Sequence, residues 1–174
     1  QTKMIRYIIP LFLIFTCFSS KAQESATSTL SIQINNVQSI RINEQQQNVE
    51  ISINTIEDFQ NGKSSNKSDH IEVMSNGKYE IRVVANGHLL KGDSKIDIDQ
   101  IKLTPTFGTK GRSTNDINFF AVDLSLENNK IITSTKGDII RSFNMNYHLK
   151  GSDQLMNSES GNYFAAHVGL QGRW

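Results

Sequence analysis

The strongest constraint on the fold is a stretch in which apolar and polar side chains alternate, at residues 70–87 (HIEVMSNGKYEIRVVANG). Ile71 and Val73 share one face of a first extended segment, and Tyr79 and Ile81 share one face of a second. Two amphipathic segments with a turn between them predict a β-hairpin. Because a hairpin is only marginally stable alone, further strands must cover its apolar face.

The length of the turn decides which side chains lie opposite each other in this predicted hairpin. A two-residue turn at residues 76–77 would place Glu80 opposite Val73 and so bring a charge onto the apolar face. A three-residue turn at residues 75–77 pairs Val73 with Tyr79 instead, and its glycine can close the loop in the left-handed conformation. We therefore expect the three-residue turn.

The same alternation recurs along the chain, separated by turns rich in glycine, asparagine and serine, and no segment of ten residues has helical periodicity. It indicates about seven to nine short strands, and no internal repeat is visible. We predict an all-β fold, an immunoglobulin-like sandwich of two sheets. Strands are expected at or around residues 30–34, 49–53, 71–73, 79–83, 96–103, 120–126, 131–132, 143–149 and 164–170. Ile40 and Ile42 continue the first of these or form a second short strand.

Four places depart from the alternation. The spacing of Ile56 and Phe59 fits a bend or a single helical turn leaving the sheet, and residues 61–69 (NGKSSNKSD) indicate a polar loop. The parity changes near residues 99–100, which predicts a β-bulge or a crossing between sheets. Pro105 lacks an amide hydrogen, so it should mark the end of a strand or an edge.

We predict that one core unites the apolar faces of these strands. Its expected members are Ile71, Val73, Tyr79, Ile81, Val122, Leu124, Met145, Tyr147, Ala166 and Val168.

Residues 1–22 have the pattern of a secretory signal peptide, with Met4 as the expected true start. Positive charge precedes an apolar run at residues 7–18 that is too short to span a bilayer. Ser20 and Ala22 then place small residues at the two positions that a signal peptidase reads, so cleavage is expected after Ala22. An uncleaved anchor is the alternative, as is lipidation of Cys17. We expect cleavage, which leaves residues 23–174 as a single exported domain in the periplasm or at the cell surface.

Cysteine content and charge narrow the class of protein further. Cys17 is the only cysteine, so the expected mature domain relies on its core without disulfides. The chain has a formal net charge of +1, and the expected signal carries basic residues but no acid. The mature domain is then near neutral without a basic stripe, which argues against a nucleic-acid partner.

The candidates for chemistry are weak when each is taken by itself. Asp97 and Asp99 occupy the polar face opposite two isoleucines, so we read them as a solvated face and not a calcium loop. A metal pair of His148 and His167 is conceivable, but both have the parity of exposed positions. No serine lies in a nucleophile-elbow pattern. We therefore predict no catalytic, cofactor-binding or metal-binding residues.

Three aromatic residues are candidates for contact with a ligand or partner: Phe119, Tyr163 and Trp174. Together they could form an aromatic platform for a sugar. The alternative, which we favour for Phe119 and Tyr163, is that these rings cap the ends of strands.

Four stretches give the chain a likeness to a known group of proteins: TLSIQINNVQSIRIN, IEDFQNG, SDHIEVMSNGKYEIRVVANG and GNYFAAHVGL. In its pattern of strands and turns the chain resembles secreted WxL-like or pilus-subunit-like immunoglobulin-like proteins of bacterial envelopes. No Trp-x-Leu motif occurs, so no wall-binding residue carries over. The resemblance implies a non-enzymatic, exported structural or adhesive protein, whose partners are envelope or surface proteins or identical subunits. A pilus subunit and a lectin-like, glycan-binding module are the alternatives.

The segment after the expected signal bears on the pilus alternative. Ala26, Ser28, Leu30, Ile32 and Ile34 share one face, so this segment could complete the sheet of a neighbouring subunit. We expect it instead to form the first strand of its own sheet, and the mature protein to fold as a monomer or in a small complex.

Overall fold

The computed structural model describes residues 31–165 and 168–174, and the protein in these ranges is mostly β with antiparallel sheets. The expected signal peptide lies outside the described residues. Residues 35–174 form one compact unit; a second unit, residues 1–34, is described only at residues 31–34, which are exposed and not in a strand. No helix among the described residues is long and apolar enough to cross a bilayer.

Short strands make up most of the compact unit. They are β1 (Gln38–Ile42), β2 (Lys63–Ser75), β3 (Tyr79–Ala85), β4 (Leu89–Lys91), β5 (Ser94–Ile96), β6 (Ile101–Phe107), β7 (Ile117–Phe119), β8 (Val122–Asp123), β9 (Asn129–Ser134), β10 (Asp138–Leu149), β11 (Phe164–Ala165) and β12 (Val168–Arg173). The helices are α1 (Ile56–Asn61) and α2 (Asp153–Met156), and 3₁₀ turns lie at Glu44–Gln46 and Ile98–Gln100.

The strands form three sheets. The first has the order β1-β2-β10-β6-β8, the second β12-β3-β9-β7, and a small third sheet β11-β4-β5. Buried side chains from the first two sheets meet in one core, since Ile71 and Phe143 of the first cluster with Ile81 and Ile132 of the second.

The predicted core is confirmed for most of its members. Buried in it are Ile71, Val73, Tyr79, Ile81, Leu124, Met145 and Tyr147; Val122 and Val168 are partly buried against it, and Ala166 lies outside the described residues.

The predicted hairpin is wrong, although its apolar faces were assigned correctly. β2 pairs with β1 and β10, whereas β3 pairs with β12 and β9, so Val73 and Tyr79 belong to different sheets. The turn between them carries the chain from one sheet to the other. The turn lies directly against Gly137, where a Cβ would be only 2.6 Å from the backbone of Asn76, so this close approach requires a glycine. Alternation specifies the buried face of a strand but not its neighbour.

The predicted polar loop at residues 61–69 is also wrong, because β2 begins at Lys63 and pairs along β10. This half of β2 is polar and mostly not buried, so its backbone pairing has no apolar pattern to reveal it. A register shift interrupts the pairing near Asp69, whose φ of 49° is left-handed. The Asp69 carboxylate accepts hydrogen bonds from Ser142 and from the backbone and side chain of Thr109, which hold the pKa of this group below its usual range.

The predicted helical turn after Ile53 is confirmed as α1. Thr55 and Asp58 form a capping box at its start, and Gly62, with a φ of 79°, ends it. Asp58, in the first turn of this helix, is buried. Its hydrogen bonds to Lys63 (2.8 Å) and to the backbone of residues 54–55 lower its pKa to about 2.

Two predictions about strand boundaries are confirmed. Near residues 99–100 the chain crosses between sheets through a 3₁₀ turn, which was one of the two alternatives. Pro105 lies in β6 beyond the short pairing with β8, where β10 is the only strand that the described part of the chain pairs with β6. A missing amide hydrogen is tolerated at such an edge.

Three predicted strands are absent or broken in the described residues. Residues 31–37 and 49–53 are not in strands, although Val49 and Ile51 still pack against the core. The predicted strand at residues 120–126 is reduced to the two residues of β8, which pair with β6. Leu124 is buried, while Leu126 is exposed.

Candidate functional site

A groove of about 460 Å³ lies between the edges of the two large sheets. We call it the edge groove. It is lined by Ile40, Arg41, Ile42, Glu44, Gln47 and Leu170.

The strand order explains why this side of the protein is open. Among the pairings of described residues, β1 pairs with β2 alone and β12 with β3 alone. Within the described ranges each strand therefore has one side without a sheet neighbour, and such an edge can accept an added strand. The two edges lie side by side, since residues of β1 contact residues of β12.

Apolar side chains form the floor of the edge groove. Ile40 and Ile42 pair across the ladder with Val73 and Ile71, which are fully buried, so both isoleucines face the core. Leu170 of β12 pairs in the same way with a buried valine of β3. All three remain only half-buried because they lie at sheet edges.

Polar side chains form the rim. Arg41 and Glu44 bring opposite charges, and Gln47 brings an amide. A half-buried apolar floor with a polar rim is the usual composition of a protein-binding surface.

One wall of the edge groove is the 3₁₀ turn Glu44–Gln46, which is anchored to the sheet by a chain of hydrogen bonds. Gln46 donates its amide hydrogen to Ser68 O (3.0 Å), so its Oε1 faces His70 Nδ1 at 3.2 Å. That oxygen can only accept, so Nδ1 carries the proton, and His70 Nε2 then accepts from the Tyr147 hydroxyl at 2.9 Å. Asn43 caps the turn through its side chain.

Burial shifts the pKa values of the two titratable side chains in this hydrogen-bonded series, His70 and Tyr147. His70 is buried, and desolvation together with the nearby charge of Lys67 lowers its pKa below 6.5. Burial likewise raises the pKa of Tyr147 to about 12. The neutral imidazole is therefore the form that holds the turn.

We expect the protein to lose stability between pH 7 and pH 5 because of His70. In this interval the unfolded chain takes up a proton at this histidine that the folded chain resists, so the free energy of unfolding falls as the pH falls. The carboxylates whose pKa is lowered change the free energy of unfolding mainly below their ordinary pKa values near 4, which lie outside this interval. Urea unfolding at pH 7 and at pH 5 measures how much the free energy of unfolding changes with pH.

The matched variant for this test is His70→Gln, which keeps a polar side chain but cannot titrate. In this variant the free energy of unfolding should change less between pH 7 and pH 5. His148→Gln, at a half-exposed position of β10, should leave the contribution of His70 in place. An equal change in the wild type and His70→Gln would contradict the assignment.

The three predicted aromatic contact residues lie in separate places. Phe119 packs edge-to-face on Phe107 with ring centroids 4.8 Å apart, Tyr163 packs beside Leu155, and Trp174 lies on Tyr79 at 6.2 Å. Phe119 and Trp174 belong to opposite margins of the second sheet. The structure therefore does not bring the three rings together into one platform.

The other polar groupings in the described residues do not form a cluster that could act as a catalytic or metal site. Ser64 hydrogen-bonds His148 Nδ1 at 2.9 Å on the outer face of the first sheet, and Asp97 pairs with Lys95 at 2.8 Å. Among the described residues, no three His, Cys, Asp or Glu side chains are grouped to hold a metal. His167 lies outside the described residues.

A buried ion pair closes the end of the core where Trp174 lies. Arg141 contacts Asp138 at 2.6 Å, and their side chains are only 6% and 16% exposed. Tyr79 donates its hydroxyl to the same carboxylate at 3.0 Å. Burial, followed by the Asp138 charge, raises the pKa of Tyr79. We call these three residues the end cluster. It was not predicted, because Arg141 is a charged residue at a core position of β10.

No known protein family matches the chain, and no curated protein sequence matches it significantly. The function must therefore be argued from the site itself.

Proposed function

We propose that this chain is an exported, non-enzymatic structural or adhesive protein of the bacterial envelope or cell surface. In this proposal the domain is an immunoglobulin-like sandwich that acts through contacts with another protein. The observation that carries the proposal is the edge groove, which combines two free strand edges with a half-buried apolar floor.

The mode of binding follows from this geometry. An extended segment of a partner can pair with the free side of β1 and place every second side chain on the floor. Backbone hydrogen bonds then provide affinity, and Ile40, Ile42 and Leu170 select apolar side chains. The pattern of WxL-like and pilus-subunit-like proteins is consistent with such a role.

The experiment is site-specific photo-crosslinking in the native envelope. A photoreactive side chain at Arg41, on the rim, should crosslink to one dominant protein. The matched position is Asn146, on the outer face of the same sheet, and should give no such product. The protein identified in this crosslink, purified by itself, should bind the wild type more tightly than it binds the Leu170→Ser variant. Equal crosslinking from both positions would contradict the proposal.

A second candidate function is a polymerising subunit, and one observation favours it. Ile32 and Ile34 are 75% and 84% exposed, although both are large β-branched side chains that alternate with polar residues. Such a segment could fill the edge groove of another copy.

Deletion of residues 23–34 separates the two candidates. Under our first proposal, both the full-length and the deleted protein are monomers or parts of small complexes when measured by light scattering. If the full-length protein instead forms detergent-resistant rods and the deleted protein stays soluble as a monomer, the polymerising subunit is correct.

A further inference from the structure

An exposed apolar tip lies at the end of the molecule that holds the end cluster. Between Asp138 and Arg141, β10 gains one residue relative to β2, which is a β-bulge. Within this bulge Ile139 and Ile140 are 86% and 46% exposed. The bulge turns two adjacent isoleucines outward, so a large part of their apolar surface stays unburied in the domain.

More apolar surface surrounds the tip. Met74 of the neighbouring strand is 36% exposed, and Val37, just before β1, is 50% exposed. Trp174 is 41% exposed and lies against Tyr79 with the two ring planes tilted by 57°. The Tyr79 hydroxyl bonds to Asp138, the residue directly before the tip. An exposed apolar group of this kind with an amphipathic tryptophan beside it is typical of contact with a partner or a membrane interface.

The charges around the tip are unbalanced. The nearby acids are already paired, Asp138 with Arg141 and Asp116 with Lys136 at 3.1 Å. Two further cations are exposed. Lys78 precedes the tyrosine of the end cluster, and Arg112 accepts a hydrogen bond from Arg141 through its backbone oxygen.

We propose that this end of the domain docks peripherally on an anionic lipid surface. Ile139 and Ile140 enter the headgroup region, Trp174 lies at the interface, and Lys78 and Arg112 contact lipid phosphates. A protruding pair of isoleucines fits a lipid surface better than the flat, close-packed core of a protein interface.

The test uses Trp174, which is the only tryptophan of the chain and so reports on this end alone. The full chain is mixed with vesicles of brominated phosphatidylcholine, with or without phosphatidylglycerol. We expect the brominated lipids to quench Trp174 fluorescence when phosphatidylglycerol is present, and the quenching to need at least about tenfold more lipid when it is absent.

Matched variants locate the contact. Ile139→Ser with Ile140→Ser should weaken quenching by about tenfold or more, because the inserted apolar surface is lost. Ile56→Ser with Met156→Ser removes two exposed apolar residues, 73% and 56% exposed, from the short helices and should leave the quenching unchanged. Lys78→Glu with Arg112→Glu should weaken quenching by anionic vesicles, and urea unfolding verifies that each variant is folded.

Three outcomes overturn the proposal. One is wild-type fluorescence that brominated vesicles do not quench, and another is quenching that is the same with and without phosphatidylglycerol. The third is a change of oligomeric state in Ile139→Ser with Ile140→Ser while quenching persists, which would identify the tip as a protein interface.

Discussion

Truncation of Ile81 to alanine is expected to lower the free energy of unfolding by about 2–5 kcal/mol. Ile81 is fully buried in the middle of β3, where it pairs with Ile132 on one side and Gly172 on the other. Because the glycine has no side chain to move into the space, and Trp174 already packs over it, the cavity cannot collapse easily. The loss should therefore lie toward the upper part of the range.

Urea unfolding measured by circular dichroism checks this value. The matched control is Ile139→Ala, which removes the same atoms from a side chain that is 86% exposed and should change stability by about 0.5 kcal/mol or less. A loss below about 1 kcal/mol for Ile81→Ala would contradict its place in the core.

The apolar faces of the strands could be predicted from the sequence, whereas the pairing of the strands could not. Ile71, Val73, Tyr79 and Ile81 are all buried, as alternation requires. The same four residues would be buried in a hairpin or in two facing sheets, because both arrangements bury one face of each strand. Which arrangement forms depends on the many distant contacts of β10 and β12, and these leave no local signal.

Polar strands could not be predicted either, because they lack the alternation of apolar side chains. The first half of β2 is held by backbone pairing with β10 rather than by burial, so Ser64 and Asn66 carry no apolar period. Arg141 shows the converse, since a charged residue holds a core position because Asp138 neutralises it.

The edge groove was not predicted because it depends on strand order. Ile40 and Ile42 read as ordinary members of a half-buried strand, and Leu170 lies far away in sequence. Only the order of the two large sheets makes β1 and β12 edges on the same side. The aromatic residues singled out by the sequence are separated by that same order.

The buried ion pair of the end cluster leads to the other large expected effect. Replacing Asp138 by alanine should lower the free energy of unfolding by about 3–5 kcal/mol. The guanidinium of Arg141 would keep its burial but lose its countercharge, and its Nε already has no hydrogen-bond partner in the part of the chain described. The Tyr79 hydroxyl would lose its acceptor as well.

Two comparisons show whether desolvation is the cause of that loss. Lys136→Ala breaks an ion pair whose lysine side chain is 73% exposed, and it should cost no more than about 1 kcal/mol. Replacing both partners, as Asp138→Leu with Arg141→Met, should restore much of the stability lost in Asp138→Ala, because no unpaired charge then stays buried. If the double variant is no more stable in urea than Asp138→Ala, the loss comes from the packing of this end of the core and not from the unpaired charge.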